Sequence, residues 1–202
     1  MAGPQTRLST EERQAEIIAA ALRLARESSP ALVTTGDIAE AIGVTQGAVF
    51  KHFATKDAIW AAAMRWVREE LLGRIERAAC EARTPSGALA AIFTAHVDFI
   101  VEFPGVPRVI FHELQQPADS AAKGEVRQLL QSYRRLLLQT LERAAAAGEV
   151  AVDLDHEVAA TAFVGLIQGL VMQGMLAGRP AGLRAQGERL FALYLRGIGV
   201  TR

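Results

Sequence analysis

Gln46 and Ala48 stand two positions apart, just after the hydroxyl of Thr45 and just before the cation of Lys51. A carboxamide can pair with an adenine edge through two hydrogen bonds, and a methyl can pack on the thymine methyl. Side chains of these types in the first turn of a helix can therefore read a duplex groove. The residues for other chemistries are missing. His96, Asp98, His112 and Glu113 lack the H-x3-H or Cys/His spacing of a metal site. No nucleophile motif, glycine-rich phosphate loop or pair of catalytic carboxylates occurs. Neither a metal nor another cofactor is expected, and the chain does not read as an enzyme.

The elements that must carry Gln46 are short helices. Thr35 can cap a helix over Asp37 to Ala41, with Ile38, Ala39 and Ile42 inward. The turn "GVT" follows, with Gly43 where a left-handed residue is easy. Thr45 can then cap a helix over Gln46 to His52, with Val49 and Phe53 inward. Two short helices joined by a tight turn and backed by an earlier helix are a helix-turn-helix, whose second helix enters the major groove.

The rest of the chain is built for longer helices. Ser9 and Glu12 form a capping box before a helix striped by Ile17, Ala21, Leu24 and Ala25, which should end near Ser28 ahead of Pro30. Thr55 opens a long helix to about Cys80 through Ile59, Ala63, Trp66, Val67, Leu71 and Ile75. Helices follow from Pro85, over "RVIFHELQQP", over 120 to 147, from Asp155 to about Ala177 before "AGRP", and from Leu183 to Gly197. The fold class is all-α with about nine helices. The expected domains are 1–56, the helix-turn-helix, and 57–202, with no linker between them.

The charge balance limits how such a head could work. Residues 1–56 carry six bases (Arg7, Arg13, Arg23, Arg26, Lys51, Lys56) and six acids, and the whole chain has a net charge of zero. Any grip on phosphates must come from placed cations rather than abundant ones. One cysteine, Cys80, excludes an intramolecular disulfide and fits the reducing cytoplasm. Gln168 and Gln173 interrupt the apolar stretch from Ala159 to Met175, so no membrane span is expected.

The stretch "TTGDIAEAIGVTQGAVFKHFATKDAIW" resembles the N-terminal signature of the TetR family of transcriptional regulators, without gaps over about 45 residues, and the helical layout of the remainder is similar to that family. The resemblance implies a homodimer on a pseudo-palindromic DNA operator, most simply as a repressor, released by a small, largely apolar effector. It makes Thr34 and Thr35 phosphate ligands. Thr45, Gln46, Gly47 and Ala48 would face bases, Lys51 and His52 the backbone or flanking bases, and Lys56 another phosphate at a helix N-terminus. Phe50 stands where a tyrosine commonly donates to phosphate, and Gly36 where a longer polar side chain is common.

The C-terminal helices offer two further sets. Ala162, Gly165 and Gly169 recur at intervals of three and four, a small-residue face on which a partner helix could close. With Leu183, Leu190, Phe191 and Tyr194 they form the expected dimer interface. The expected effector pocket draws on Trp66, Phe93, His96, Ile100 and Phe103 from the earlier helices, and on Phe111, His112, Phe163, Gln168 and Met172 from the later ones. Two rival readings use the same residues: a protein of this type that has lost DNA binding and works through protein contacts, or a helical ligand carrier.

Overall fold

The computed structural model of the protein describes residues 8–178 and 182–200. Nine helices lie among them: α1 (Thr10–Leu24), α2 (Thr35–Ala41), α3 (Gln46–Phe50), α4 (Lys56–Glu81), α5 (Pro85–Glu102), α6 (Val106–Gln115), α7 (Ala121–Ala146), α8 (His156–Ala177) and α9 (Leu183–Gly197). The fold is all-α. Local chemistry sets most of the ends. Ser9 and Glu12 exchange side-chain and backbone bonds at the start of α1, and Asp155 accepts from the amides of Glu157 and Val158 at the start of α8. Gly178 closes α8 in the left-handed conformation (φ 61°). The stop read in Arg179 and Pro180 lies outside the described residues. α1 ends at Leu24, before Ser28, and the chain continues as turns tied by Ser28 N–H to Leu24 O at 3.0 Å.

The chain forms two compact units, and their division departs from the expected boundary at 56/57. One unit holds the described residues up to Val67 together with Pro104–Val126; the other holds Arg68–Phe103 and the described residues from Arg127 onward. α4 and α7 therefore each contribute residues to both. The inclusion of α6 in the first unit has a steric cause. A Cβ placed on Gly105 would lie 2.0 Å from the Leu22 carbonyl oxygen, so the chain before α6 can press on the last turn of α1 only as glycine. In the same unit Ile17, Ala20, Ala21, Ile38, Val49, Ile59, Trp60 and Met64 are buried. The expected stripe of α4 is rotated at one point, because Trp60 is buried whereas Trp66 is only partly covered.

In the second unit α9 packs on α5 and α8. Gly187 makes that approach possible, since its Cβ position lies 3.2 Å from Leu170 and 3.3 Å from Phe93. Tyr194 Oη donates to Ala159 O at 3.0 Å, and the Arg184 guanidinium meets Asp98 at 2.5 Å. α8 is long and apolar enough, by length and composition alone, to cross a membrane, with a mean hydropathy of 1.5. Gln168 and Gln173 therefore do not break the apolar stretch as expected, because the surrounding Ala, Val, Leu, Ile and Met residues keep the average high. Its Ala159, Phe163, Ile167 and Leu170 stripe is buried, as in a helix that forms part of a protein core.

Candidate nucleic-acid interface

α2 and α3 are held by their caps. Thr34, not Thr35, is the N-cap of α2: its Oγ1 accepts from Asp37 N–H at 3.1 Å, and Asp37 Oδ2 accepts from Thr34 N–H at 2.8 Å. The Thr34 backbone N–H, with the Thr34 hydroxyl beside it, holds the Asp37 carboxyl below its ordinary value of 3.8. Gly43 turns the chain at φ 67°, and Thr45 Oγ1 accepts from Ala48 N–H at 3.2 Å to start α3. α3 stops at Phe50, shorter than expected, with Lys51 as its C-cap. Burial of Val49 and Phe53 seats it, a contribution of about 1.5–3 kcal/mol for each side chain.

The opposite face is open. Thr45, Gln46, Gly47, Phe50 and Lys51 are exposed and Ala48 is partly so. Phe50 is 46% exposed, so it is no part of the core. A Cβ on Gly47 would meet nothing closer than 3.9 Å, so packing within the chain does not require glycine there.

Three residues sit differently from expectation. Thr35 is 8% exposed and its hydroxyl accepts from Gln46 Nε2 at 2.7 Å. It is committed inward, which corrects its assignment as a phosphate ligand. His52 buries its Nδ1 with no hydrogen-bond partner among the described residues, while its carbonyl accepts from Gln14 Nε2 at 3.3 Å. The imidazole thus turns that nitrogen into the head rather than outward. Lys56 Nζ donates to Ala31 O at 2.9 Å, which fixes the ammonium beside the start of α4 and leaves two of its three N–H donors. No sequence signal marked Ala31, Gln14 or the Thr35 hydroxyl, since each acts on a residue far along the chain.

The expected effector residues divide between the two units. Trp66, Phe111 and His112 belong to the first, and His112 Nδ1 lies 3.5 Å from Gln116 Nε2. In the second, Phe93 and Phe163 are core: the Phe93 ring stacks on Phe191 at 4.5 Å and meets Phe163 at 5.7 Å. His96 Nδ1 and Tyr133 Oη are 3.0 Å apart, and burial pulls the imidazole pKa down to about 4. Ile100 is buried, and Phe103 packs on Phe99 beneath the Arg74 guanidinium, which also holds Glu70 and Glu102. Gln168 and Met172 are exposed, which corrects their placement in an interior pocket. They fall on the outward side of α8 because Ile167, Leu170 and Val171 take the inward one. A groove of about 370 Å³ runs between α5 and α9, and Phe93 is the one expected effector residue that lines it.

The dimer set divides in the same way. Ala162, Gly165 and Gly169 are exposed, and a Cβ on either glycine would meet nothing within 4 Å. Leu183, Phe191 and Tyr194 are instead 5–7% exposed within the single chain. They are already covered by α5 and α8, which corrects their assignment to an interface; Leu190 is partly exposed.

Two capped short helices that follow α1 in an all-α chain, the second of them presented to solvent, define a helix-turn-helix protein. Comparison with known proteins agrees. The model of the bacterial regulatory proteins of the tetR family matches residues 17–63, and that of the tetracyclin repressor-like C-terminal domain matches residues 116–187. The chain belongs to the TetR family of transcriptional regulators. It is 25% identical over 199 residues to the HTH-type transcriptional regulator AcrR of Shigella flexneri, covering 95% of this chain and 91% of that one. It is 27% identical over 119 residues to the nucleoid occlusion factor SlmA of Actinobacillus pleuropneumoniae serotype 5b, a match spanning 58% of this chain and only 59% of that relative. Among solved structures, the transcriptional regulator FadR from Bacillus subtilis in complex with stearoyl-CoA has the same fold. It superposes with a TM-score of 0.79 at 22% identity, over 91% of this chain and 98% of that chain.

Proposed function

We propose that the protein is a homodimeric repressor that binds a pseudo-palindromic operator through α3 and is released by a small, largely apolar effector. The observation that carries the reading is the face of α3: Gln46, Gly47 and Phe50 stand in solvent on a head fixed from beneath by Val49 and Phe53. Gln46 supplies the base-edge chemistry, and Ala48 the methyl contact. Lys51 and Lys56 supply charge, with the exposed hydroxyls of Thr34 and Thr45 beside them. Two such heads in a dimer would meet half-sites about one helical turn apart, about 34–36 Å.

The open space above Gly165 and Gly169 supports the dimer. Glycine inside a helix costs about 1 kcal/mol relative to alanine, and nothing in the single chain offsets that. Val158, Met172 and Leu176 on α8 and Leu193 on α9 add exposed apolar surface. Light scattering at micromolar concentration should give twice the chain mass, and a monomer would exclude this face as a homodimer seam.

For release, the effector must bind the DNA-incompetent state better, with a coupling of about 1–3 kcal/mol in typical cases. α4 is continuous from Lys56 to Glu81, so a displacement at its far end is carried to the phosphate-facing lysine. The fold admits a long apolar ligand, as the stearoyl-CoA complex of FadR illustrates. The test is selection of bound duplexes from a random pool, with the winner titrated at two salt concentrations. A palindrome bound at nanomolar, salt-sensitive affinity is expected. Recovery of no sequence above random DNA would overturn the reading.

A further inference from the structure

The side chain of Gln46 is not free in solution. Its Nε2 donates to Thr35 Oγ1 at 2.7 Å, so the first residue of α3 is tied to the first residue of α2. The two ends of that bond differ in exposure: Gln46 lies on the open face, whereas Thr35 is 8% exposed. A buried hydroxyl is a fixed point, and an exposed glutamine without one samples many rotamers. A carboxamide carries two N–H donors and one carbonyl acceptor. The bond to Thr35 uses one N–H, leaving the other and Oε1, which are the donor and acceptor that adenine takes at N7 and N6.

We propose that Thr35 is the positioning residue of the base-reading site: its buried hydroxyl holds the Gln46 carboxamide in the orientation that reads adenine. Discrimination at one base pair then depends on a residue that never touches the duplex. The ordering of Gln46 is already made in the free protein, so binding does not have to supply it. The proposal rests on the reading of α3 as the base-reading helix.

Thr35→Val keeps the shape of the side chain and removes the hydroxyl; Thr35→Ser keeps the hydroxyl. Each is titrated against the selected operator and its single-base variants, beside Gln46→Ala and the double variant Thr35→Val/Gln46→Ala. Thr35→Val should lose about fivefold or more of the discrimination at the base pair that Gln46→Ala identifies, and at no other. Affinity for random DNA should not change, Thr35→Ser should restore the discrimination, and the double variant should be no worse than Gln46→Ala alone. Full discrimination in Thr35→Val, or an equal loss on every duplex, overturns the proposal. A second readout needs no DNA. The side-chain amide protons of Gln46 should be displaced from their free-glutamine positions and protected from exchange in the free protein, and should return to those positions in Thr35→Val. Free-glutamine resonances in the unsubstituted protein also overturn it. An ordered carboxamide with no selected operator would instead overturn the reading of α3 on which it rests.

Discussion

The α-carbon of Gly105 is seated against the carbonyl of Leu22 so closely that a single added carbon would fall 2.0 Å from that oxygen, with Arg26 N at 3.0 Å. Both neighbours are backbone and cannot swing aside. Gly105→Ala should therefore destabilise the protein by about 1–3 kcal/mol or more, seen as a lower thermal midpoint. Gly124→Ala is the control: nothing lies within 4 Å of its Cβ position, and helix propensity should stabilise it by about 1 kcal/mol. Equal midpoints for the two variants would show that the α1 contact is slack.

Gly165→Ala and Gly169→Ala should separate folding from association. In the isolated chain each gains about 1 kcal/mol of helix propensity, because its Cβ enters open space. In a dimer closed over that face the same methyl keeps the partner backbone away. Sedimentation should show weaker association while denaturation of the monomer at low concentration moves upward. Unchanged association would place the seam elsewhere.

Thr34 and Asp37 give α2 an acid-sensitive start. The Asp37 carboxyl is held below its ordinary value by the Thr34 amide and hydroxyl, so its contribution is present above pH 3.8 and lost as pH falls through the lowered value. Thermal midpoints of the unsubstituted protein should fall faster on acidification than those of Asp37→Asn. Thr34→Ala, which removes the cap, should cost about 1 kcal/mol at neutral pH.

His96 acts over a higher window. Burial lowers its pKa from 6.5 to about 4, so the unfolded chain binds the extra proton between those values. Stability should be full above pH 6.5 and decline as pH falls toward 4, by about 3 kcal/mol at most. His96→Gln, which can still bond Tyr133 but does not titrate, should flatten that part of the profile. The same slope in both proteins would assign it to another group.

Phe50→Tyr should restore the hydroxyl that family members use on phosphate. The ring is 46% exposed, so the added oxygen enters solvent without burial, and affinity should rise for every duplex alike. Lys56→Ala should do the reverse and flatten the salt dependence by about one phosphate contact. A change confined to one sequence in either variant would contradict these roles.

What the sequence made legible was local. Ser9 with Glu12, Asp155 with the amides after it, and Thr45 before α3 are decided within three residues, and the structure has each as the cap expected. The cap of α2, read as Thr35, is Thr34. The choice falls to Thr34 because the Thr35 hydroxyl faces Gln46, a partner no short window contains. Periodicity found the apolar stripe of α9 but not its cover: Phe191 and Tyr194 meet Phe93 and Phe163 of the same chain rather than a second copy. On α8 the exposed Gln168 and Met172 share a face with Gly165 and Gly169, a register set by the inward turn of Ile167 and Leu170. The seam between α1 and α6 left no trace beyond a glycine in "FPGVP", which reads equally well as a helix breaker.

That seam bears on the order in which the polypeptide is made. The unit containing α1 to α3 is completed by Pro104–Val126, so a nascent chain that has emerged only as far as Val67 holds α1, α2 and α3 yet lacks the piece that seats on Leu22. Translation proceeds at about 5–20 residues per second, so the reading head waits several seconds on the ribosome, partly bare, before its last wall arrives.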